Sequence, residues 1–314
     1  MTDLSVTIAG VRFKNPVIAA SGTFGYGSEY GELFDVSRLG GICTKGLTLH
    51  PRPGNTGQRL HETPAGLMNS IGLENPGIPA FIEKELPRLR SLGPVVIVNL
   101  SGSGIEEYAE GARLLNETSV DMIELNISCP NVKAGGMAFG LDPEAAASVV
   151  APVRKAASAK PLMVKLSPNA PDITAVALAC AGAGADAFSL VNTFKAMAID
   201  IKKRKPVFDN VSAGLSGPAI RPIALRMVWE LCAALRAAGG TKAGAGQDAV
   251  PVVGMGGIAR AEDALEFLMA GAAAIQVGSA TFARPAAMIE IIEGIETHMR
   301  QNGIEKVEGL SLWR

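Results

Sequence analysis

Eight short apolar runs, spaced along the chain and separated by stretches of helical periodicity, limit the possible folds more than any other feature. The runs are PVIAAS (16–21), GGICTKG (40–46), PVVIVNLSG (94–102), VDMIELNIS (120–128), PLMVKLS (161–167), AFSLVN (187–192), VPVVGMG (250–256) and AAIQVGS (273–279). Their length and β-branched content read as buried strands. Helical patterns fall at 79–92, 104–118, 142–159, 171–184, 218–239, 261–271 and 284–302. Asp142-Pro143 and Ser216-Gly217-Pro218 read as helix starts, with proline in the first turn. Strands alternating with helices predict an α/β chain whose parallel sheet closes as a (β/α)8 TIM barrel, one domain over residues 1–314. An open doubly wound sheet fits the same pattern. Ahead of the first run, LSVTIAGVRFKNP (4–16) alternates about Ala9-Gly10 and predicts an N-terminal β-hairpin.

The strand ends support closure. Their C-terminal tips read Ser21, Lys45, Asn99, Asn126, Lys165, Asn192, Gly256 and Gly278-Ser279, polar or glycine after apolar bodies. In a barrel such tips converge on one mouth, the end where the chemistry of these folds sits. The longest non-helical links also leave from tips, at 47–78, 129–141 and 193–217, and links of that length are usually functional or disordered. GGTKAGAGQD (239–248) precedes the seventh strand, on the opposite face, and reads as a surface insertion. Neither it nor AGAGADA (181–187) opens a helix directly after a strand, so neither is a convincing dinucleotide fingerprint.

Composition excludes several roles. There are 29 Lys and Arg against 30 Asp and Glu, a net charge of −1, so no basic field attracts nucleic acid. MTDLSVTIAG is not a signal peptide, and no apolar run is long enough for a bilayer span. Cys43, Cys129, Cys180 and Cys232 are far apart, with no CxxC pair and no zinc or iron–sulfur spacing, which suits a reduced, cytoplasmic chain without a metal.

The tips then suggest chemistry. Met255-Gly256-Gly257-Ile258 and Val277-Gly278-Ser279-Ala280 follow strands seven and eight, where backbone N–H groups of barrels often hold a phosphate. Lys45 and Lys165 end apolar strands, where an unpaired lysine is costly. Each could face a bound anion or form a salt bridge, and Glu124 is a possible partner. Met122, Glu124, Asn126 and Ser128 share one strand face. Asn69, Asn126 and Asn192 each offer a donor and an acceptor to a small planar amide. None of His50, His61 and His298 falls at a tip, which leaves Cys129, just beyond the fourth strand, as the candidate base. An isolated cysteine is more often a small buried thiol. The two asparagines, the serine and the loop NVKAGGMAFG around this one favour a functional role.

NISCPN followed by NVKAGG resembles the active-site segment of the dihydroorotate dehydrogenases. SGTFGYGSEY (21–30), CTKG (43–46), NSIGLENPG (69–77) and GMGGI (254–258) match the same family in the same order. A cysteine at 129 resembles the soluble class 1 enzymes, and SGTFGYG with NVKAGG the class 1B subtype that works with an iron–sulfur flavoprotein. The resemblance implies one flavin mononucleotide (FMN) per chain. Its phosphate would sit on Gly256, Gly257, Gly278 and Ser279, and its other contacts would be Ser21, Lys45, Gly46, Asn99, Asn126, Lys165, the Val191 backbone and Gly217. Lys165 would touch the flavin ring and Lys45 would lie between flavin and substrate. Asn69, Ser70, Ile71, Gly72, Leu73, Asn126, Asn192 and Thr193 would hold orotate. Cys129 would take the C5 proton of dihydroorotate while hydride leaves C6 for flavin N5, under a loop 129–141 hinged at Gly135-Gly136. The partner subunit would carry FAD and a [2Fe–2S] cluster, two such chains joining two of these and passing electrons to NAD. The alternatives are a fumarate-using homodimer, a pyrimidine-reducing relative, a flavin-free phosphate-binding barrel lyase or isomerase, and a non-catalytic binding role.

Overall fold

A computed structural model describes residues 2–128, 139–239 and 249–313. Cys129, the Gly135-Gly136 hinge and most of the glycine-rich stretch lie outside the described residues. All eight apolar runs supply barrel strands: Val17–Ala19, Gly41–Cys43, Val95–Leu100, Met122–Asn126, Leu162–Lys165, Ala187–Leu190, Val252–Met255 and Ala274–Val277. Each pairs in parallel with the next, and Ala274–Val277 pairs with Val17–Ala19 to close the ring. That last ladder excludes the open sheet. The strands are buried on both faces, which is why they read as continuous apolar runs rather than alternating ones.

The N-terminal hairpin forms as expected, Val6–Ile8 antiparallel to Val11–Phe13. Ala9 and Gly10 both have positive φ, 48° and 83°, the combination a two-residue hairpin turn needs. Phe13 is fully buried and packs against Gly41 at the start of the second barrel strand, the end of the barrel away from the tips. Helix Pro143–Ala156 starts on Asp142, whose carboxylate accepts the Ala145 N–H at 2.9 Å. Ser216-Gly217-Pro218 also opens a helical segment, with proline in the first turn as expected. Ser216 ends a strand, Gly217 turns the chain at φ 96°, and the 3-10 turn Pro218–Ile220 leads directly into the helix Arg221–Ala237. The 79–92 helix is also interrupted, by a π turn at Phe81–Glu85 just before Pro87, which has no N–H to give to the preceding turn.

The larger departure concerns the links after strands two and six, which the sequence presents as irregular. Leu60–Thr63, Gly66–Asn69, Ser212–Ser216 and Phe194–Met197 instead form a four-stranded antiparallel sheet. It has its own small core of Met68, Phe208 and Ala213. Among the described residues, no helix is long and apolar enough to cross a membrane.

Phe13 closes the foot of the barrel against Gly41, so Phe13→Ala leaves a cavity there. Urea denaturation should show a loss of about 3–5 kcal/mol, typical for a buried phenylalanine cut to alanine.

Candidate active site

The inner layer of the barrel beneath the mouth is polar. Four side chains from alternate strands meet there: Cys43, Glu124, Ser189 and Gln276, each at most 1% exposed. Such layers are ordinarily filled by branched aliphatic residues. Here the other three all donate to the Glu124 carboxylate, Ser189 Oγ at 2.8 Å, Gln276 Nε2 at 2.7 Å and Cys43 Sγ at 3.3 Å. The neighbouring odd strands add Asn99 Nδ2 at 2.6 Å and the Lys165 ammonium at 3.3 Å. Desolvation pushes the Glu124 carboxyl up, but the Lys165 charge and the bonds from Gln276, Asn99 and Ser189 outweigh it and hold it below the usual carboxylate range. Burial, helped by the Glu124 charge, pushes the Cys43 thiol well above its usual value, so it stays an S–H donor.

The network continues toward the mouth. Asn126 Nδ2 donates to Asn99 Oδ1 at 3.4 Å, and Asn126 Oδ1 accepts from Ser128 Oγ at 2.8 Å. Asn192 Nδ2 donates to the same Ser128 hydroxyl at 2.5 Å. Tyr108 fixes the end of the fourth strand by donating to the Asn126 carbonyl at 2.8 Å. Side chains from strands three, four and six are thus tied together at the C-terminal end of the fourth strand.

Above this layer lies one cavity of about 360 Å³. Its walls bring together Ser21, Lys45, Gly46, Asn99, Asn126, Lys165, Val191 and Gly217, with Gly256, Gly257, Gly278 and Ser279 on one side. Asn69, Ser70, Ile71, Gly72, Leu73, Asn192 and Thr193 line the side under the antiparallel sheet. Of the residues singled out in the sequence, Cys129 and the hinge glycines Gly135 and Gly136 lie outside the described residues.

At the glycine end the backbone suits an anion. Gly256 and Gly257 have φ of 123° and 77°, and a Cβ on Gly257 would sit 2.8 Å from the Gly217 carbonyl. Among the described residues, the N–H groups of Gly257, Ile258, Gly278 and Ser279 have no hydrogen-bond acceptor. Four open amides at two adjacent strand tips make a cradle of the kind that holds phosphate. The two lysines differ. Lys165 is buried against Glu124, whereas Lys45 is half-buried and has no ion-pair partner among the described residues. Burial lowers the Lys45 ammonium from its ordinary value, offset in part by the Glu74 charge.

Sequence reading missed Gln276, Ser189 and Cys43 as partners of Glu124, along with Ser128. The signal was parity: Cys43 and Gln276 lie two residues before the tips Lys45 and Gly278, and Ser189 two before Val191, so each faces inward with that residue. It also missed Phe282, an aromatic that lines the cavity while remaining 53% exposed.

A family model described as Dihydroorotate dehydrogenase matches residues 3–299 of the chain. The chain belongs to the dihydroorotate dehydrogenase family. Among its relatives, a Petrotoga mobilis protein named "Dihydroorotate dehydrogenase B (NAD(+)), catalytic subunit" is 58% identical over 308 residues, 98% of each chain. Proteins of the same name from Geotalea uraniireducens and Thermoanaerobacter pseudethanolicus are each 52% identical, over 98% and 97% of this chain and 97% and 96% of their own.

The Glu124 cage makes a stability prediction. Its carboxyl titrates lower in the folded chain than the ordinary 4.5, so its contribution is complete above pH 4.5 and drains away as pH falls through the lower folded value. On acidification across that window the parent chain should lose more stability than Glu124→Gln does, read from denaturant midpoints at each pH.

Proposed function

We propose that this chain is the catalytic subunit of an NAD-linked dihydroorotate dehydrogenase, oxidising dihydroorotate to orotate in pyrimidine synthesis. The observation that carries the reading is the cavity at the barrel mouth, where an open amide cradle, Lys45, Lys165 and the asparagines Asn69, Asn126 and Asn192 line one space. The names of its near relatives give the same activity.

The donor set suits FMN. The amides of Gly257, Ile258, Gly278 and Ser279 offer a phosphate site at one end of the cavity. Asn99, Asn126 and Lys165, with Ser21, Gly46 and the Val191 and Gly217 backbone, offer donors and walls for the ring system. When bound, the flavin supplies the hydride acceptor for the oxidation. Substrate amides and carboxylate would be read by Asn69, Asn126, Asn192 and Thr193, with the Ser70–Leu73 segment beside them and Lys45 as the unneutralised cation nearby. Cys129 is the base in this reading and takes the C5 proton. An unperturbed cysteine thiol has a pKa of about 8.5, so a thiol can supply some thiolate near neutrality. Ser128, the residue before it, is held by Asn126 and Asn192, so the same asparagines that read the substrate also fix the approach to the base.

Electrons would leave through a partner subunit with FAD and a [2Fe–2S] cluster, in an assembly of two catalytic and two partner chains. The words "catalytic subunit" in the relatives' names support a heteromeric enzyme. A cytoplasmic setting fits Cys43, Cys180 and Cys232, which are free thiols.

The purified protein should be yellow and release one FMN per chain on denaturation. Colourless protein that cannot be reconstituted with FMN removes the reading. Cys129→Ser should keep its flavin but reduce it with dihydroorotate at least about a hundredfold more slowly at neutral pH, the deficit shrinking as pH rises. Near-normal stopped-flow rates in that variant would return Cys129 to a structural role. Rapid fumarate reduction by the isolated chain, with no NAD-linked activity gained from a co-expressed subunit, would instead favour a self-sufficient homodimer.

A further inference from the structure

Glu124 is the feature of this barrel that the proposed reaction leaves unused. It is fully buried and does not reach the cavity, yet Lys165, Asn99 and Gln276 each touch both the cavity and its carboxylate. We infer that Glu124 is a positioning residue for the flavin site: a fixed anion under the floor of the cavity that aims Lys165 and cancels part of its charge, keeping the flavin harder to reduce than Lys165 alone would make it. This rests on the FMN reading above.

Three observations carry the inference. First, the carboxylate is caged. Its two oxygens take donors from five other strands, and every one of those groups is a donor toward it. Hydrogen bonds of that number to a carboxylate favour its charged form. Secondly, the cage occupies a layer where aliphatic side chains would serve packing better, since a buried ion pair is seldom a net source of stability. Thirdly, the partnership is selective. Lys165 is neutralised and Lys45 is not, so two lysines on one cavity carry different effective charge. A reduced flavin is more negative than an oxidised one, and a cation beside the ring favours reduction in proportion to its uncompensated charge.

Glu124→Gln unmasks Lys165 while keeping shape. The new amide finds an acceptor at hand, because Gln276 Oε1 is buried without a hydrogen-bond partner and a turn of that amide would present it. The test is the midpoint potential of bound FMN, measured by equilibration with a reference dye on the flavin-loaded protein purified with any subunit that accompanies it. The expected result is a reduction equilibrium shifted at least about tenfold toward reduced flavin, about 30 mV upward for a two-electron couple. A merely structural role would lower the melting temperature and leave the potential where it was. A flavin-loaded Glu124→Gln with an unchanged or lower potential overturns the inference. Absence of flavin from the parent protein would overturn the FMN reading first. Should Glu124→Gln fail to fold or to hold flavin, Lys165→Met is compared with Glu124→Gln/Lys165→Met. The comparison is made at alkaline pH, which favours an ionised Glu124 in the single variant, so the double should show the higher potential, and equal potentials overturn the inference.

Discussion

A carboxylate on the axis of a barrel sets the terms for everything around it. Leaving Glu124 unpaired in that interior would cost several kcal/mol, so the fold must deliver donors to it from nearly every direction. Cys43, Asn99, Lys165, Ser189 and Gln276 come from strands two, three, five, six and eight. Side chains alternate along a strand, so a slip of one residue in any of these strands would turn its donor toward the surrounding helices. The buried charge therefore selects one register around most of the ring. The same requirement delivers the next inward residues, Lys45, Asn126, Val191 and Gly278, to the mouth together.

Charge in the cavity is consequently arranged in layers. A compensated pair lies at the floor, an uncompensated ammonium at the side, and open backbone amides at the tips of strands seven and eight. Glycine is needed at Gly257 for a specific reason, the positive φ and the close Gly217 carbonyl, and no side chain would leave the cradle intact. Asn126 joins these layers, bonded below to Asn99 and above to Ser128.

The barrel was legible in the sequence because doubly covered parallel strands leave an unmistakable record: eight apolar runs, each ending on a polar residue or glycine. The hairpin was legible from alternation around Ala9-Gly10. The polar interior was only half legible. Glu124 could be placed on the inward face, but its partners lie far away in sequence, and each of Cys43, Ser189 and Gln276 is unremarkable within its own strand. The antiparallel sheet was invisible for a related reason. Gly66–Asn69 and Ser212–Ser216 are short, rich in glycine and serine, and gain strand character only by pairing with each other. Gly217 was legible as a helix start, though not as the residue that carries the chain out of that pairing.

That small sheet also changes how this family's loops can diverge. The segments after strands two and six are usually thought of as separate decorations on a barrel, each free to lengthen or be exchanged. Here Asn69 pairs with Gly214 and Met68 with Leu215, while Gly214 in turn packs against Thr193. Replacing either segment alone strips its neighbour of a ladder and exposes an unpaired edge at the entrance. The two loops are therefore one structural unit, and new specificity at this mouth has to arise by changing them as a pair or by altering side chains within the existing ladder.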